Sequence, residues 1–352
     1  MPSLLTLIYI LLYLFLLSFS NASLPSSYPS IYDYCPEGKE RIFDLTLSKG
    51  TMAPDGFTRD MLLINGQFPG PLISAYKGDT IVLNVKNELD EDTSIHSHGM
   101  FQRGTPWYDG VPGQTECGIP AAKLLTPESQ GFGPIPDSGL INGKGTFNCS
   151  SAPPGSHCVS DAPLEHSLPT FIFSIDGHEL EVIEVEGMAI KPYKVNRLPI
   201  NVAQRYSVIV KANKPVDSYW MRAEMQTVCF PIQNPVLNPM VKAIVTYEGS
   251  AKETPVSTAW NDKVTDCVDL DYKELVPYHE EYVPEADTTI NVFVNFRRDE
   301  KNITMGYVNN STYVADMKYP TIGKVFNGVT QFALNDNAFV IEQTQVVDVL
   351  IL

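Results

Sequence analysis

The amino-acid sequence predicts an all-β protein built from β-sandwiches. Apolar and polar residues alternate with a period of two in many places, which is typical of strands that bury one face. Twenty-seven prolines and 23 glycines supply the turns that a chain of short strands needs. After the N-terminal apolar run, no stretch keeps a helical period over three turns. These observations favour stacked sheets over a helical architecture.

Three segments show the alternation most clearly, and each predicts one half-buried strand. The apolar positions on one face are Ile81, Leu83 and Val85 in residues 79–89, Val202, Tyr206, Val208 and Val210 in residues 200–212, and Ile290, Val292, Val294 and Phe296 in residues 289–298.

Three strand-rich blocks are separated by segments rich in Gly, Pro, Ser or acidic residues, which predicts three domains. The first block offers only about five strand-like runs, fewer than a sandwich needs. The third block ends inside a strand pattern. We therefore expect a near-complete second domain between two partial ones. The predicted boundaries are 36–134 for the first domain, 135–250 for the second, 251–286 for a linker and 287–352 for the third.

Charge and the N-terminal sequence limit the partners and the compartment. The formal net charge of −16 would repel nucleic acid and anionic membranes, whereas neutral or cationic partners are compatible with it. Residues 4–19 are apolar or small, and Ser20-Asn21-Ala22 offers a cleavage site. This pattern predicts a signal peptide over residues 1–22, with an uncleaved anchor as the alternative. We expect a secreted protein without a membrane span in the mature chain.

Cysteines and glycosylation motifs agree with secretion. The six cysteines fit an oxidising compartment, and none forms a CxxC pair, so a zinc ribbon or a thioredoxin-type site is not expected. Cys149 and Cys158 lie in one loop and can pair with a small loss of chain entropy. The glycosylation candidates, each in an Asn-X-Ser/Thr triplet, are Asn148, Asn302, Asn309 and Asn310.

His96-Ser97-His98-Gly99 is the sharpest candidate for a functional site. On a strand, residues i and i+2 point to the same side, so the two imidazoles could share one metal or reach two adjacent metals. Imidazole suits copper and zinc. The alternative is a pair of surface histidines at the end of a strand. We interpret His178 as structural and His279, beside two glutamates, as at most a weak surface site.

The HxHG motif stands in an ordered series of further motifs. They are NGQFPGP at residues 65–71, WYDGVPGQTECGIP at 107–120, PDSGLINGKG at 136–145, FSIDGH at 173–178 and VAQRY at 202–206. The series resembles the multicopper oxidases, namely laccases, ascorbate oxidases and fungal ferroxidases, over most of the chain. This resemblance implies Greek-key sandwiches of the cupredoxin type and copper as the cofactor.

The resemblance also implies roles for individual residues. His96 matches a ligand of the type 2 copper and His98 a ligand of one type 3 copper. Similarity to ascorbate oxidases suggests a disulfide between Cys35 and Cys229. The cysteine that matches Cys117 pairs near the C-terminus in the family, so Cys117 would here be free or paired with Cys267. The family takes single electrons from phenols, ascorbate-like donors or ferrous iron and reduces dioxygen to water.

Departures from the family pattern change the expected function. A second His-x-His motif is absent after Ile119-Pro120, and the motifs that carry the type 1 copper cysteine are also missing. The six histidines are fewer than the family's copper set requires. We expect at most one weakly held copper at His96 and His98 and no oxidase turnover. The alternatives are a non-catalytic secreted binding or wall protein and a truncated gene product.

Overall fold

The computed structural model describes residues 38–54, 56–76, 78–100, 102, 104–112, 114, 139–145, 149–151, 155, 170–230, 234, 237–251, 253–316, 318–341 and 345–352. The predicted signal peptide, Cys35, Cys117, Cys158 and Asn148 lie outside these residues. None of the helices in these ranges has the length and the apolar sequence of a membrane-spanning segment.

The regular secondary structure of the described residues is almost entirely β-strand, which confirms the all-β prediction. One short α-helix, α1, spans Thr321–Phe326. The strands are β1 Glu40–Met52, β2 Arg59–Ile64, β3 Thr80–Asn87, β4 Phe171–Ile175, β5 Leu180–Val185, β6 Met188–Val195, β7 Leu198–Ile200, β8 Tyr206–Val210, β9 Ser218–Met225, β10 Met240–Thr246, β11 Thr288–Val292, β12 Val294–Arg298, β13 Thr304–Val308 and β14 Val347–Ile351.

The described residues divide into two compact units, one within residues 38–45 and 72–86 and the other within residues 46–71 and 87–352. The described part of the first unit centres on Asp79. Its carboxylate accepts hydrogen bonds from the backbone N–H of Lys39 at 2.9 Å and of Tyr76 at 3.0 Å, and from Nε of Arg41 at 2.7 Å. The backbone N–H of Lys39 first, and then Arg41 and Tyr76, lower the pKa of Asp79 to about 2.

Two sheets of the second unit form a sandwich. One sheet has the strand order β10-β9-β4-β7 and the other β6-β5-β8, and neighbouring strands in both sheets are antiparallel. Their inner faces meet in one core, because alternate residues of each strand point inward. The buried members of this core are Ile175 and Leu198 from the first sheet and Leu180, Val182 and Ile190 from the second.

Residues 251–286, predicted as a linker, pack on this sandwich. The backbone N–H of Lys191 donates to Val276, and that of Tyr278 donates to Ala189, so the segment pairs along β6. Leu270 and Leu275 cover the core cluster. The domain boundaries given above remain predictions.

A buried ion pair joins β9 to Asp176, the residue that directly follows β4. Arg222 donates from Nε and Nη2 to the two carboxylate oxygens of Asp176 at 2.7 and 2.8 Å, and Ser257 donates to Asp176 at 2.7 Å. The Asp176 side chain is 0% exposed. The hydrogen bond to Asp176 raises the pKa of Arg222. This network satisfies a charge that would otherwise be costly to bury.

Two of the three predicted strands are wrong in length. The strand predicted over residues 200–212 is only β8, because Val202 and Ala203 form a turn in which Ala203 has φ +66°. Residues 289–298 form two strands: β11 pairs in parallel with β14, and β12 pairs antiparallel with β13. Phe296 is 72% exposed, so the apolar alternation does not mark a buried face there. Residues 79–89 contain the predicted strand, β3, but Val85 on the predicted apolar face is 45% exposed.

Candidate metal centre

His96 and His98 lie in the second unit but not on a strand. Residues 92–97 have no regular secondary structure, and His98 and Gly99 form a turn. The premise that both histidines lie on one strand face is therefore wrong. The two imidazoles are nevertheless adjacent: their ring centroids are 5.7 Å apart and their planes are nearly perpendicular, at 86°. Both histidines are exposed, so a ligand can reach them from solvent.

A backbone carbonyl orients the ring of His96. Its Nδ1 lies 2.6 Å from the carbonyl oxygen of Asp109, and a carbonyl can only accept a hydrogen bond. Nδ1 therefore carries the proton and donates it, which leaves the lone pair on Nε2. Metal-binding histidines usually have this second contact, because it fixes the tautomer and the ring orientation.

The position of Asp109 follows from the chain around it. Pro106–Tyr108 forms a single 3₁₀ turn, and the backbone N–H of Asp109 donates to Pro106 at 3.3 Å. Gly110 has φ +74°, and a Cβ at this residue would overlap the carbonyl of Ile95. Ser94 donates to the carbonyl of Gly110 at 2.7 Å. Only glycine allows this close approach, which places the Asp109 carbonyl beside His96.

Sequence reasoning did not find the role of Asp109. In the sequence, the Trp107-Tyr108-Asp109-Gly110 motif contributes only to the family resemblance, although its Asp-Gly pair is a strong turn signal. The carboxylate of Asp109 also approaches His96, with Oδ1 3.5 Å from Nδ1. Among the described residues, no group of three or more His, Cys, Asp or Glu side chains could hold a metal ion. The described centre thus offers two imidazoles and one positioning carbonyl.

The other described histidines do not join this centre. His178 is 1% exposed, with Nδ1 2.8 Å from the carbonyl of Asp176 and Nε2 2.6 Å from the hydroxyl of Tyr247. Its ring stands edge-on to Tyr219 at 4.8 Å. Both nitrogens are used inside the core, which agrees with a structural role. His279 packs edge-on against Tyr278 at 5.1 Å.

One predicted disulfide is wrong. Cys229 bonds to Cys267, with 5.5 Å between their Cα atoms, so Cys229 is not available for the bond to Cys35 that the family resemblance suggested. The packing of residues 251–286 on the sandwich brings Cys267 to Cys229, and the backbone N–H of Cys267 donates to Gln226 at 2.7 Å. Cys149 is disulfide-bonded, and its predicted partner, Cys158, lies outside the described residues.

Three glycosylation candidates lie in described turns that flank β13. Asn302 and Asn310 are exposed. Asn309 is partly buried: its side chain accepts a hydrogen bond from the backbone of Phe293 at 2.9 Å and donates to the carbonyl of Asn291 at 3.2 Å. Of the overlapping triplets, Asn310 therefore has the more accessible side chain. Glycosylation itself remains a prediction.

Comparisons with known proteins agree with the motifs. Two sequence models described as multicopper oxidase match residues 46–131 and 166–250. Laccase-2 of Botryotinia fuckeliana is 29% identical over 393 aligned residues, which cover 89% of this chain and 66% of that protein. Laccase-1 of Cryptococcus neoformans var. grubii is 28% identical and covers 83% and 62%, respectively. The crystal structure of the laccase from Botrytis aclada matches with a TM-score of 0.76 at 27% identity, over 87% of this chain and 70% of that one.

The chain spans about two thirds of the length of these curated laccases, or slightly less. The alignment with the Botryotinia fuckeliana protein is longer than the 352 residues of this chain. That laccase therefore contains segments, within the aligned region, that have no counterpart here.

Proposed function

We propose that the chain binds copper through His96 and His98, because it is similar to the multicopper oxidases, whose cofactor is copper. One observation carries this proposal. The carbonyl of Asp109 holds the proton on Nδ1 of His96, so Nε2 keeps its lone pair beside the ring of His98. A pair of exposed surface histidines without a function would need no such orientation.

The residues present fit one copper ion better than a cluster. Two neutral imidazoles suit divalent copper, and water or a nearby carboxylate can complete the coordination. The chain holds six histidines, of which His178 uses both nitrogens inside the core. We therefore expect a polypeptide of these 352 residues to bind copper weakly and to exchange it readily.

The reaction class that we propose for proteins with this fold and a full set of copper ligands is the oxidation of small electron donors by dioxygen. Phenols, ascorbate-like compounds or ferrous iron would supply single electrons, and dioxygen would be reduced to water. The related proteins named laccases support this reaction class. We propose that the 352-residue polypeptide alone does not turn over, because its ligands are too few for a copper cluster and it lacks a type 1 copper motif.

A second candidate is a non-catalytic secreted copper-binding or wall protein. The observation that favours it is the absence, among the described residues, of a third ligand near His96 and His98. Secretion is supported by the apolar N-terminus and by the disulfides at Cys149 and Cys229. Oxygen uptake with a phenolic donor separates the two candidates, since only an oxidase consumes dioxygen in proportion to the donor.

Copper titration followed by calorimetry tests the site. The wild-type chain should bind about one copper ion, without the intense blue colour of a cysteine-ligated site, and lose it to a mild chelator. The His96→Ala/His98→Ala variant should lose this binding, whereas His279→Ala should keep it. Equal binding by the wild type and the double variant would refute the site. Tight binding of three or four copper ions would refute the count of ligands.

A further inference from the structure

A polar groove crosses the solvent-facing side of the sheet β6-β5-β8. It consists of two cavities of about 390 and 260 Å³, and they adjoin because Glu179 and Asn196 line both. The strand register determines which residues form the floor of the groove. Leu180 is buried in the core, so Glu179 and Glu181 on either side of it point outward. Glu181 lies between Lys194 on β6 and Ile209 on β8.

Two loops form the walls of the groove. Asn213 and Lys214, after β8, line the larger cavity together with Trp260. Asp262 and Lys263, two and three residues beyond Trp260, line the smaller cavity. The segment around Trp260 is fixed, because its indole N–H donates to the carbonyl of Ile175 at 2.9 Å.

The charges of the groove are unequal. The lining residues include five cations and three carboxylates, but Arg197 pairs with Glu224 outside the groove at 2.7 Å, which leaves an excess of one positive charge. Two carboxylates are neutralised locally, Glu179 by Lys194 at 2.6 Å and Glu181 by Lys211 at 3.1 Å.

The third carboxylate, Asp262, accepts a hydrogen bond from Asn196 at 2.6 Å. Lys214 and Lys263 make no ion pair within the described part of the chain, and one lies in each cavity. Their ammonium groups are therefore free for an anionic ligand with charges at more than one position.

The uncharged lining residues indicate a sugar. Trp260 has already used its N–H, so it offers its ring to a ligand. The amides of Asn196 and Asn213 can exchange hydrogen bonds with hydroxyl groups. A compact aromatic acid would favour an enclosed, mainly apolar pocket, which this open and polar groove is not. An extended chain of hydroxylated rings with repeated carboxylates matches the groove better.

We propose that this groove binds an acidic oligosaccharide made of uronate sugars. One sugar ring packs against Trp260, and carboxylates of successive sugars pair with Lys214 in one cavity and Lys263 in the other. This inference is independent of copper binding.

Calorimetry of the full chain with a galacturonate oligomer tests the proposal, with a neutral glucose oligomer of equal length as the comparison. EDTA removes divalent ions that uronates bind, and an ionic strength of about 0.15 M limits repulsion by distant acidic residues. We expect the acidic oligomer to bind and the neutral one to bind at least tenfold more weakly. The His96→Ala/His98→Ala variant should bind the acidic oligomer like the wild type.

Three variants locate the binding. Lys214→Gln/Lys263→Gln should weaken it by about tenfold, since each exposed ion pair contributes modestly. Lys301→Gln, which removes another exposed lysine, should have no effect. Binding of the acidic oligomer to the wild type should change the fluorescence of Trp260. Trp260→Phe keeps a stacking ring and should retain binding, but it should lose this fluorescence change. No binding by the wild type, equal binding of the neutral oligomer, or equal loss in Lys301→Gln would overturn the proposal.

Discussion

The Nδ1 atom of His96 lies 2.6 Å from the carbonyl oxygen of Asp109, thirteen residues further along the chain. The contact does not depend on the Asp109 side chain, which makes only a longer approach of 3.5 Å. It depends instead on the close packing of Gly110 against Ile95. Backbone geometry thus orients the proposed copper ligand. Substitutions that move this backbone should therefore change copper affinity more than loss of the Asp109 side chain.

We expect Gly110→Ala to weaken copper binding by about 10- to 100-fold, because loss of an orienting contact has effects of that size. It should also lower the free energy of unfolding by about 1–3 kcal/mol, because the new Cβ adds a clash to a positive φ. Gly104→Ala is the matched control, since Gly104 has φ +76° and open space around it. Copper titration and urea denaturation of both variants measure the two effects.

Asp109→Ala completes that comparison. It removes the carboxylate but keeps the carbonyl, so copper affinity should change much less than in Gly110→Ala. If Gly104→Ala and Gly110→Ala lose copper affinity equally, strain rather than the orientation of His96 is responsible. If Asp109→Ala causes the larger loss, the carboxylate is itself a ligand.

Asp79 should make stability depend on pH in the acidic range. Its pKa is lowered to about 2 in the folded chain, so its stabilising contribution is complete above the ordinary aspartate pKa of about 3.9. The contribution disappears as the pH falls from there through about 2. Asp79→Asn should therefore be less stable than the wild type near neutral pH, and the difference should vanish in acid.

Urea denaturation at several pH values measures this difference. Asp90→Asn is the control, because Asp90 forms an exposed ion pair with Lys49 at 3.1 Å and should contribute little at any pH. A difference between the wild type and Asp79→Asn that stays constant down to about pH 2 would contradict the assignment.

The ion pair between Asp176 and Arg222 should be important for stability. Asp176→Ala leaves a mostly buried guanidinium without its partner, and breaking such pairs typically costs about 3–5 kcal/mol. Glu186→Gln is the matched control, because Glu186 pairs with Arg205 at 2.7 Å where both side chains are over 40% exposed. The control should lose less than about 1 kcal/mol by chemical denaturation. Equal losses would show that burial does not set the energy of the Asp176 pair.

The disulfide between Cys229 and Cys267 closes a loop with a sequence separation of 38. Cys229→Ser/Cys267→Ser should lower the free energy of unfolding by about 3–4 kcal/mol, mainly because the unfolded chain gains freedom. Peptide mapping without reduction should recover the two cysteines in one linked peptide. Recovery of Cys229 linked to Cys35 would restore the pairing that the family resemblance suggested.

The motifs and the fold class could be predicted from the sequence because both depend on local patterns. Period-two alternation follows from strand geometry and correctly predicted the strand β3, but it did not predict burial, because Val85 in β3 is 45% exposed and Phe296 in β12 is 72% exposed. Alternation reports which residues can share a face, not whether another layer covers that face. The turn at Ala203 was missed for a related reason, since a single positive φ interrupts a strand without changing the pattern.

The sequence by itself determined the class, the family resemblance and the two candidate ligands, His96 and His98, because these need only residue types and their spacing. Only the tertiary structure decided that His96 is oriented by the Asp109 carbonyl and that Cys229 pairs with Cys267. Each of these contacts joins segments that are separate in the chain. Their meeting depends on how loops pack against the sheets, and that packing is fixed by the summed energies of many residues rather than by any local pattern.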